Sequence, residues 1–218
     1  MEYNISELKT AIRVAMDQNN SSTALSALGD VDTLKLEEII ESKIPIAARI
    51  VESIAPAMLL DSGKAFGEVI GWDSQPGYGS GHIQLPDDFL RLVTFQMSDW
   101  DYAVTEAISE TDPLYIQQRS RYPGIKGNPQ RPVVAIVQQP IGQVLEFYSC
   151  ETGDQAFIKR ARYIPVPRVR NHMIDICEKL KDAIVFYAAY LVALEIGNGD
   201  LATAMDNTVK MLLGIPSE

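Results

Sequence analysis

Histidine and cysteine are both scarce in this sequence of 218 residues, which has two of each. His82 and His172 lie in no HxH or HExxH spacing, and Cys150 and Cys177 lack a CxxC partner, so the patterns of zinc sites are missing. A GxSxG nucleophile motif is missing as well. Isolated cysteines are typical of buried thiols and predict a reducing compartment. We therefore expect no metal, no cofactor and no enzymatic activity.

Positive charge is in deficit, with 19 Lys and Arg against 29 Asp and Glu and a net charge of -10. Proteins that bind nucleic acids or anionic membranes tightly are usually basic, because neutralisation of phosphates supplies much of their affinity. The acidic balance therefore argues against tight binding of DNA. It is compatible with a surface past which DNA moves without sticking.

Long apolar runs and a signal peptide are also missing from the sequence. The most apolar stretch, Ala183 to Ile196, is too short to span a bilayer and follows Asp182, so it predicts a core helix. The first residues, Met1 to Asn4, contain neither the basic nor the apolar part of a signal peptide. With 46% apolar and 22% charged residues, the composition is typical of a globular protein.

Apolar periodicity and capping residues predict helices at both ends of an α+β fold. Apolar residues at helical spacing predict helices over residues 4–18 and 33–54, with a kink or break at Pro45. Two more are predicted over about 173–196 and 201–213. Between them, Gly197 suits a C-terminal cap and Asp200 an N-terminal cap, which indicates an antiparallel helical hairpin.

The middle of the chain predicts a small antiparallel β-core. Leu85-Pro86-Asp87-Asp88 predicts a turn, and the apolar run from Phe89 to Phe95 predicts a buried strand. Further strands are predicted over 132–137, 143–150 and 155–163, the first two joined as a hairpin. A short helix from Leu114 to about Ser120 has Asp112 as its cap and Pro113 at its first position. The expected core residues are Phe89, Leu90, Leu92, Phe95, Val134, Ile136, Leu145 and Phe147.

These elements divide the sequence into four regions that form one functional unit. They are an N-terminal helical region (1–60), a Gly-rich connecting loop (61–84), a β-rich core with an inserted short helix (85–167), and a C-terminal helical hairpin that packs on the N-terminal helices (168–218). The glycines of the loop fit neither a Walker pattern nor a dinucleotide fingerprint. They predict a loop with short strands.

The carboxylates form no convincing catalytic pair. Asp87 and Asp88 are adjacent, and adjacent strand residues point to opposite faces, so capping of the turn is the expected role. Asp99 and Asp101 could share a face, but no other residues complete a site around them.

Two basic segments are the candidate interaction sites. The first consists of Lys159, Arg160, Arg162, Arg168 and Arg170. It is interpreted either as a band that contacts an acidic neighbouring subunit or the phosphates of passing DNA, or as an edge strand whose charge prevents aggregation. The second is the loop Tyr122–Arg131, with Tyr122, Lys126 and Arg131, interpreted either as an arm that orders on a partner or as a plain mobile loop.

The run from Leu85 to Val93, Leu-Pro-Asp-Asp-Phe-Leu-Arg-Leu-Val, resembles a phrase found in head–tail connector proteins of tailed bacteriophages. These are the podovirus-like adaptor or tail-accessory ring proteins beneath the portal. The elements that follow are in a similar order: an Asp-Pro helix at Thr111–Tyr115, a hairpin strand at Gln143–Cys150, a strand that ends at Pro165, and a terminal helical hairpin. The resemblance covers roughly residues 35–213. The long first helix and the segments 61–84 and 122–131 depart from it.

The resemblance implies a structural virion protein rather than an enzyme. Copies would assemble into a ring of about twelve on the portal protein, extend the DNA channel and dock other tail or ring proteins. The ring would contact passing DNA weakly and no membrane, and it would be assembled in the bacterial cytoplasm. Two other classes stay open from the residues: a cellular protein-binding module, and a carboxylate-based metal-dependent enzyme.

Overall fold

The computed structural model describes residues 1–18, 30–67, 69–73, 79–118, 120, 122, 125–150 and 153–216. In these residues the α-helices are α1 (Ile5–Gln18), α2 (Asp30–Ile54), α3 (Pro113–Gln117), α4 (Lys181–Glu195) and α5 (Gly199–Leu213). The strands are β1 (Glu2–Asn4), β2 (Lys64–Ala65), β3 (Gly71–Trp72), β4 (Gly79–Gln84), β5 (Phe89–Met97), β6 (Ile108–Ser109), β7 (Val134–Gln139), β8 (Gly142–Cys150), β9 (Ile158–Pro165), β10 (Val169–Arg170) and β11 (Met173–Asp175). The predicted α+β class is confirmed, with N-terminal helices, an antiparallel core with a hairpin, and a C-terminal helical pair.

The chain folds into two compact units. The helical unit combines Met1–Asp61 with Val166–Glu218, and the β unit is the continuous segment Ser62–Pro165. Each unit has its own buried apolar side chains.

Helix α4 lies at the centre of the helical unit, against α1, α2 and α5. It is apolar on most of its circumference, which is typical of a buried helix. Its buried residues are Ala183, Ile184, Val185, Ala188, Ala189, Val192 and Ala193. The other helices contribute single apolar stripes, for example Leu8 and Ile12 on α1 and Ile40 and Ile44 on α2.

The predicted start of the first C-terminal helix is wrong. Met173–Asp175 forms strand β11, which pairs with β1 on one side and β10 on the other, and α4 begins only at Lys181. Asn171 and His172 form a tight turn with φ angles of +50° and +59°. The apolar spacing of this stretch fits a helix, but the pairing with the distant strand β1 overrides it.

The caps of the terminal helices agree in part with the predictions. Gly197 has the expected left-handed φ of +75° after α4. The cap of α5 is Asn198 rather than Asp200, because the Asn198 side chain accepts a hydrogen bond from the Leu201 amide. Pro45 lies inside the continuous helix α2, so no break occurs there. The expected cap Asp112 and first-turn Pro113 of α3 are confirmed.

The β unit contains a three-stranded sheet in the order β2-β9-β5 and a five-stranded sheet in the order β3-β4-β8-β7-β6. All pairs are antiparallel except β6 with β7. Phe95 and Phe147 are fully buried at the centre, with their ring centroids 6.0 Å apart. Of the eight predicted core residues, Leu92, Phe95, Val134, Leu145 and Phe147 are buried, and Phe89, Leu90 and Ile136 are partly buried.

Close backbone packing explains glycine at two positions of the Gly-rich segment. A Cβ atom on Gly81 would lie 2.7 Å from the carbonyl oxygen of Gly71 and 2.7 Å from the ring of Phe147. A Cβ atom on Gly71 would lie 2.5 Å from the ring of His82. Both residues belong to paired strands, so glycine serves sheet packing here.

A buried carboxyl group forms a backbone hydrogen bond inside the helical unit. Glu52 on α2 is 1% exposed and accepts a hydrogen bond of 2.7 Å from the backbone amide of Cys177. Burial raises the pKa of Glu52 to about 7, and it also raises the pKa of the Cys177 thiol. The bond links α2 to the segment that precedes α4.

Glu52 predicts that the helical unit becomes less stable as pH rises. Its pKa is raised from an ordinary value of 4.5 to about 7 by folding, so the folded protein holds an extra proton between these values. The free energy of unfolding therefore falls through this window, by on the order of 3 kcal/mol. Glu52→Gln keeps an oxygen acceptor for Cys177 and does not titrate.

Urea unfolding of both proteins at about pH 5 and about pH 8 measures the effect. The wild type should lose stability relative to Glu52→Gln as pH rises. Identical pH profiles of the two proteins would show that burial of Glu52 does not disfavour its ionised form.

Candidate functional site

The structure divides the five predicted contact residues between the two units. Lys159, Arg160 and Arg162 lie on β9 in the β unit, whereas Arg168 and Arg170 lie in the helical unit, beside and on β10. All five side chains are exposed. One continuous run of sequence thus contributes basic side chains to both units.

Arg160 and Arg162 are two residues apart on β9, so their side chains share a face of the strand. Ala161 and Tyr163 alternate with them and are buried. β9 pairs with β5 on one side and with the two-residue strand β2 on the other, opposite Arg162 and Tyr163. At Arg162, β9 has a paired strand on both sides, so the interpretation of β9 as an edge strand is wrong there. The positive charge of Arg162 therefore lies on a face of the sheet.

Arg170 lies at the base of a tight hairpin between β10 and β11, opposite Met173. Left-handed φ angles at two successive residues are typical of two-residue hairpins, and they are uncommon for residues other than glycine. The carbonyl oxygen of His172 accepts a hydrogen bond of 2.9 Å from the Ile5 amide, at the start of α1. The hairpin that carries Arg170 is thus fixed to the first helix.

The described residues of the predicted partner loop form turns rather than an extended arm. The amides of Ile125 and Lys126 donate to the carbonyl oxygen of Tyr122, and the side chain of Asn128 accepts from the amide of Arg131. Tyr122 and Arg131 are exposed, and burial lowers the pKa of Lys126.

A buried glutamine joins this loop to α3. Gln118 is 5% exposed. Its side-chain amide donates to the carbonyl oxygen of Leu114 at 2.9 Å, and its Oε1 atom accepts from the Gly127 amide at 2.8 Å. Gln118 therefore links α3 to the described part of the loop at Gly127.

Asp88 has a different role from the backbone capping that its turn predicts. The turn itself is present, with the Phe89 amide donating to the carbonyl oxygen of Pro86. The Asp88 carboxylate, however, accepts a hydrogen bond of 2.7 Å from the Tyr163 hydroxyl and lies 3.7 Å from the Lys64 ammonium group. Burial raises the pKa of Tyr163 to about 12. Asp88 therefore links the β5 turn to β9 and β2.

Glu146 on β8 is the centre of a polar cluster that sequence reasoning did not identify. Its Oε2 atom accepts hydrogen bonds from the hydroxyls of Tyr148 at 2.5 Å and Tyr115 at 3.2 Å. Its Oε1 atom accepts one from the side-chain amide of Gln139 at 3.0 Å. Burial raises the pKa of Tyr148. The sequence contains one signal for this cluster: Glu146 is a charged residue that lies between Val144 and Tyr148 on one face of a strand. Since neutral donors surround this carboxylate, its geometry is that of a link between α3 and the sheet.

Within the described part of the chain, no group of three or more His, Cys, Asp or Glu side chains is placed to hold a metal ion. In the same residues, no helix has both the length and the apolar character needed to cross a membrane. The chain matches no protein-family model and no curated protein.

The Glu146 cluster predicts a stability difference between two tyrosine variants. Tyr148→Phe removes a hydroxyl that donates to a partly buried carboxylate, so the free energy of unfolding should fall by about 1 to 2 kcal/mol. Tyr102→Phe changes a side chain that is 67% exposed and should have an effect within about 0.5 kcal/mol. Urea unfolding of both variants measures the difference. Equal stabilities would mean that the cluster contributes nothing to the fold.

Proposed function

We propose that this protein is a structural virion protein, a ring-forming head-to-tail connector of a tailed bacteriophage. The observation that carries the proposal is the order of elements that follows the Leu85–Val93 phrase. A short Asp-Pro helix, a β-hairpin, a strand ending at Pro165 and an antiparallel helical pair follow in turn. The ring attaches to the portal protein, extends the DNA channel and docks other tail proteins.

The distribution of charge supports a contact between copies. Arg160 and Arg162 are exposed on one face of β9 in a chain of net charge -10, so on average the charge of a second copy attracts them. A basic surface that contacts a different, acidic surface makes a heterologous interface. Such interfaces close into rings when the rotation between copies allows it.

The net charge and the exposed arginines also determine how strongly the protein would bind DNA. A net negative charge prevents tight retention of DNA in a channel, because each neutralised phosphate adds to affinity. A few exposed arginines permit a weak contact that salt screens. The proposal therefore includes DNA as a passing ligand rather than a bound one.

A protein-binding module is the second candidate function. The exposed side chains of Ile116 and Tyr122 favour it, because exposed apolar and aromatic side chains suit contact with a partner protein. Such a module would stay monomeric or dimeric, whereas a connector forms a ring.

Charge reversal on β9 tests the proposed function. Arg160→Glu with Arg162→Glu should weaken assembly at least about tenfold, because two attractive contacts become repulsive. The fold should persist, since both side chains are exposed. Sedimentation velocity at a series of protein concentrations, alone and with a candidate portal, measures assembly, and thermal unfolding checks the fold.

Arg168→Glu with Arg170→Glu is the matched control, because it changes the net charge equally but in the helical unit. A smaller loss of assembly in this variant than in the Arg160 and Arg162 variant would locate the contact on β9. Normal assembly of the Arg160 and Arg162 variant would contradict the contact.

A further inference from the structure

We propose that the two places where the chain crosses between the units form a hinge, about which the β unit turns as one body. The chain leaves the helical unit after Asp61 and returns to it at Val166. Relative motion is the usual expectation for units that have separate cores. Two crossings that lie side by side restrict this motion more than a single linker does, because together they define one axis. This hinge is independent of the proposed function.

The crossings lie side by side because the strands that carry them are paired. β2 follows the first crossing and β9 ends at the second, and the two strands are antiparallel neighbours with Lys64 opposite Tyr163. Adjacent strands are about 5 Å apart. Gly63 shows the close approach, since a Cβ atom there would lie 2.3 Å from the carbonyl oxygen of Tyr163. Both crossings therefore leave the β unit from the same end of one strand pair.

Ser62 is the single residue between the two fixed ends of the first crossing. Before it, the Asp61 carboxylate accepts a hydrogen bond of 3.3 Å from the Glu178 amide in the helical unit. After it, the carbonyl oxygen of Gly63 accepts one of 3.1 Å from the Arg162 side chain in the β unit. Ser62 itself is exposed. Rotation about the backbone bonds of Ser62 therefore leaves both hydrogen bonds intact.

Val166 occupies the equivalent position in the second crossing. Pro165 before it lies opposite Phe89 on β5, whereas Pro167 after it is buried and belongs to the helical unit. The two prolines fix their own φ angles, and a residue that precedes proline is held in an extended conformation. The second crossing is thus a short extended link, which confines the motion to a narrow range.

The β unit is fastened as one body next to the crossings. The Asp88 carboxylate accepts from the Tyr163 hydroxyl and lies 3.7 Å from the Lys64 ammonium group, so three parts of the sheet are linked. The ring of Phe89 stacks on the ring of Tyr163, with centroids 5.7 Å apart. Rotation is therefore taken up at the crossings rather than inside the sheet. In the proposed ring, the exposed arginines of β9 would adjust to a neighbour while the helical unit stays in place.

Pulsed EPR distances between pairs of nitroxide labels on the full chain test the hinge. Met211→Cys places one label on α5, where the side chain is 72% exposed. The second label is on Phe157→Cys, about 26 Å along β9 from Pro165, or on Ala65→Cys, about 10 Å from the same end. Both of these positions are exposed as well. The two pairs thus compare a site far from the crossings with a site near them.

Val14→Cys with Met211→Cys is the matched control, because both positions are exposed and lie in the helical unit. Cys150 and Cys177 are buried, so the labels react with the introduced cysteines. An excess of unlabelled chain excludes distances between copies. Thermal unfolding verifies the fold of each labelled protein.

The hinge predicts different widths for the three distance distributions. The Phe157 pair should give a distribution at least about twice as wide as the Ala65 pair, because displacement grows with distance from the axis. The Ala65 pair should be close to the control. Equal widths for all three pairs would overturn the hinge. An Ala65 pair as wide as the Phe157 pair, with both wider than the control, would overturn its location at the crossings.

Discussion

The enclosure of helix α4 is the constraint on which the chain's organisation depends. Between Ala183 and Ala193 the helix is apolar on most of its circumference, so neighbours must cover it on several sides. Helices α1 and α2 come from before the β unit and α5 from after it. One helical unit is therefore assembled from two separated segments, and the intervening residues 62–165 form their own core around Phe95 and Phe147.

Three buried or partly buried carboxyl groups, those of Glu52, Asp88 and Glu146, have structural partners. Glu52 binds the Cys177 amide, Asp88 binds Tyr163, and Glu146 binds two tyrosines and a glutamine. Several exposed side chains are instead basic or apolar, among them Arg160 and Arg162 on β9 and Ile116 on α3. Groups of this kind are suited to contacts between proteins. The proposed connector function follows from this division and from the order of elements.

The predictions from the sequence were most accurate for features that depend on local patterns. The apolar stripes of α1 and α2, the left-handed Gly197 and the Asp112-Pro113 start of α3 all depend on residues close in sequence. Strand β11 was missed because its pairing joins Tyr3 to Ile174. The Glu146 cluster was missed because Tyr115 reaches it from 31 residues away. The division of the basic cluster between two units was not predicted, because the boundary at Val166 depends on how distant segments of the chain pack.

The central claim is that copies of this chain form a ring on a portal. The most direct measurement is the mass of the wild-type protein by light scattering, alone and mixed with candidate portal proteins. The account predicts that a portal exists on which the chain of 24.1 kDa assembles into a closed ring of many copies. A protein that keeps the mass of one chain with every portal offered would contradict it.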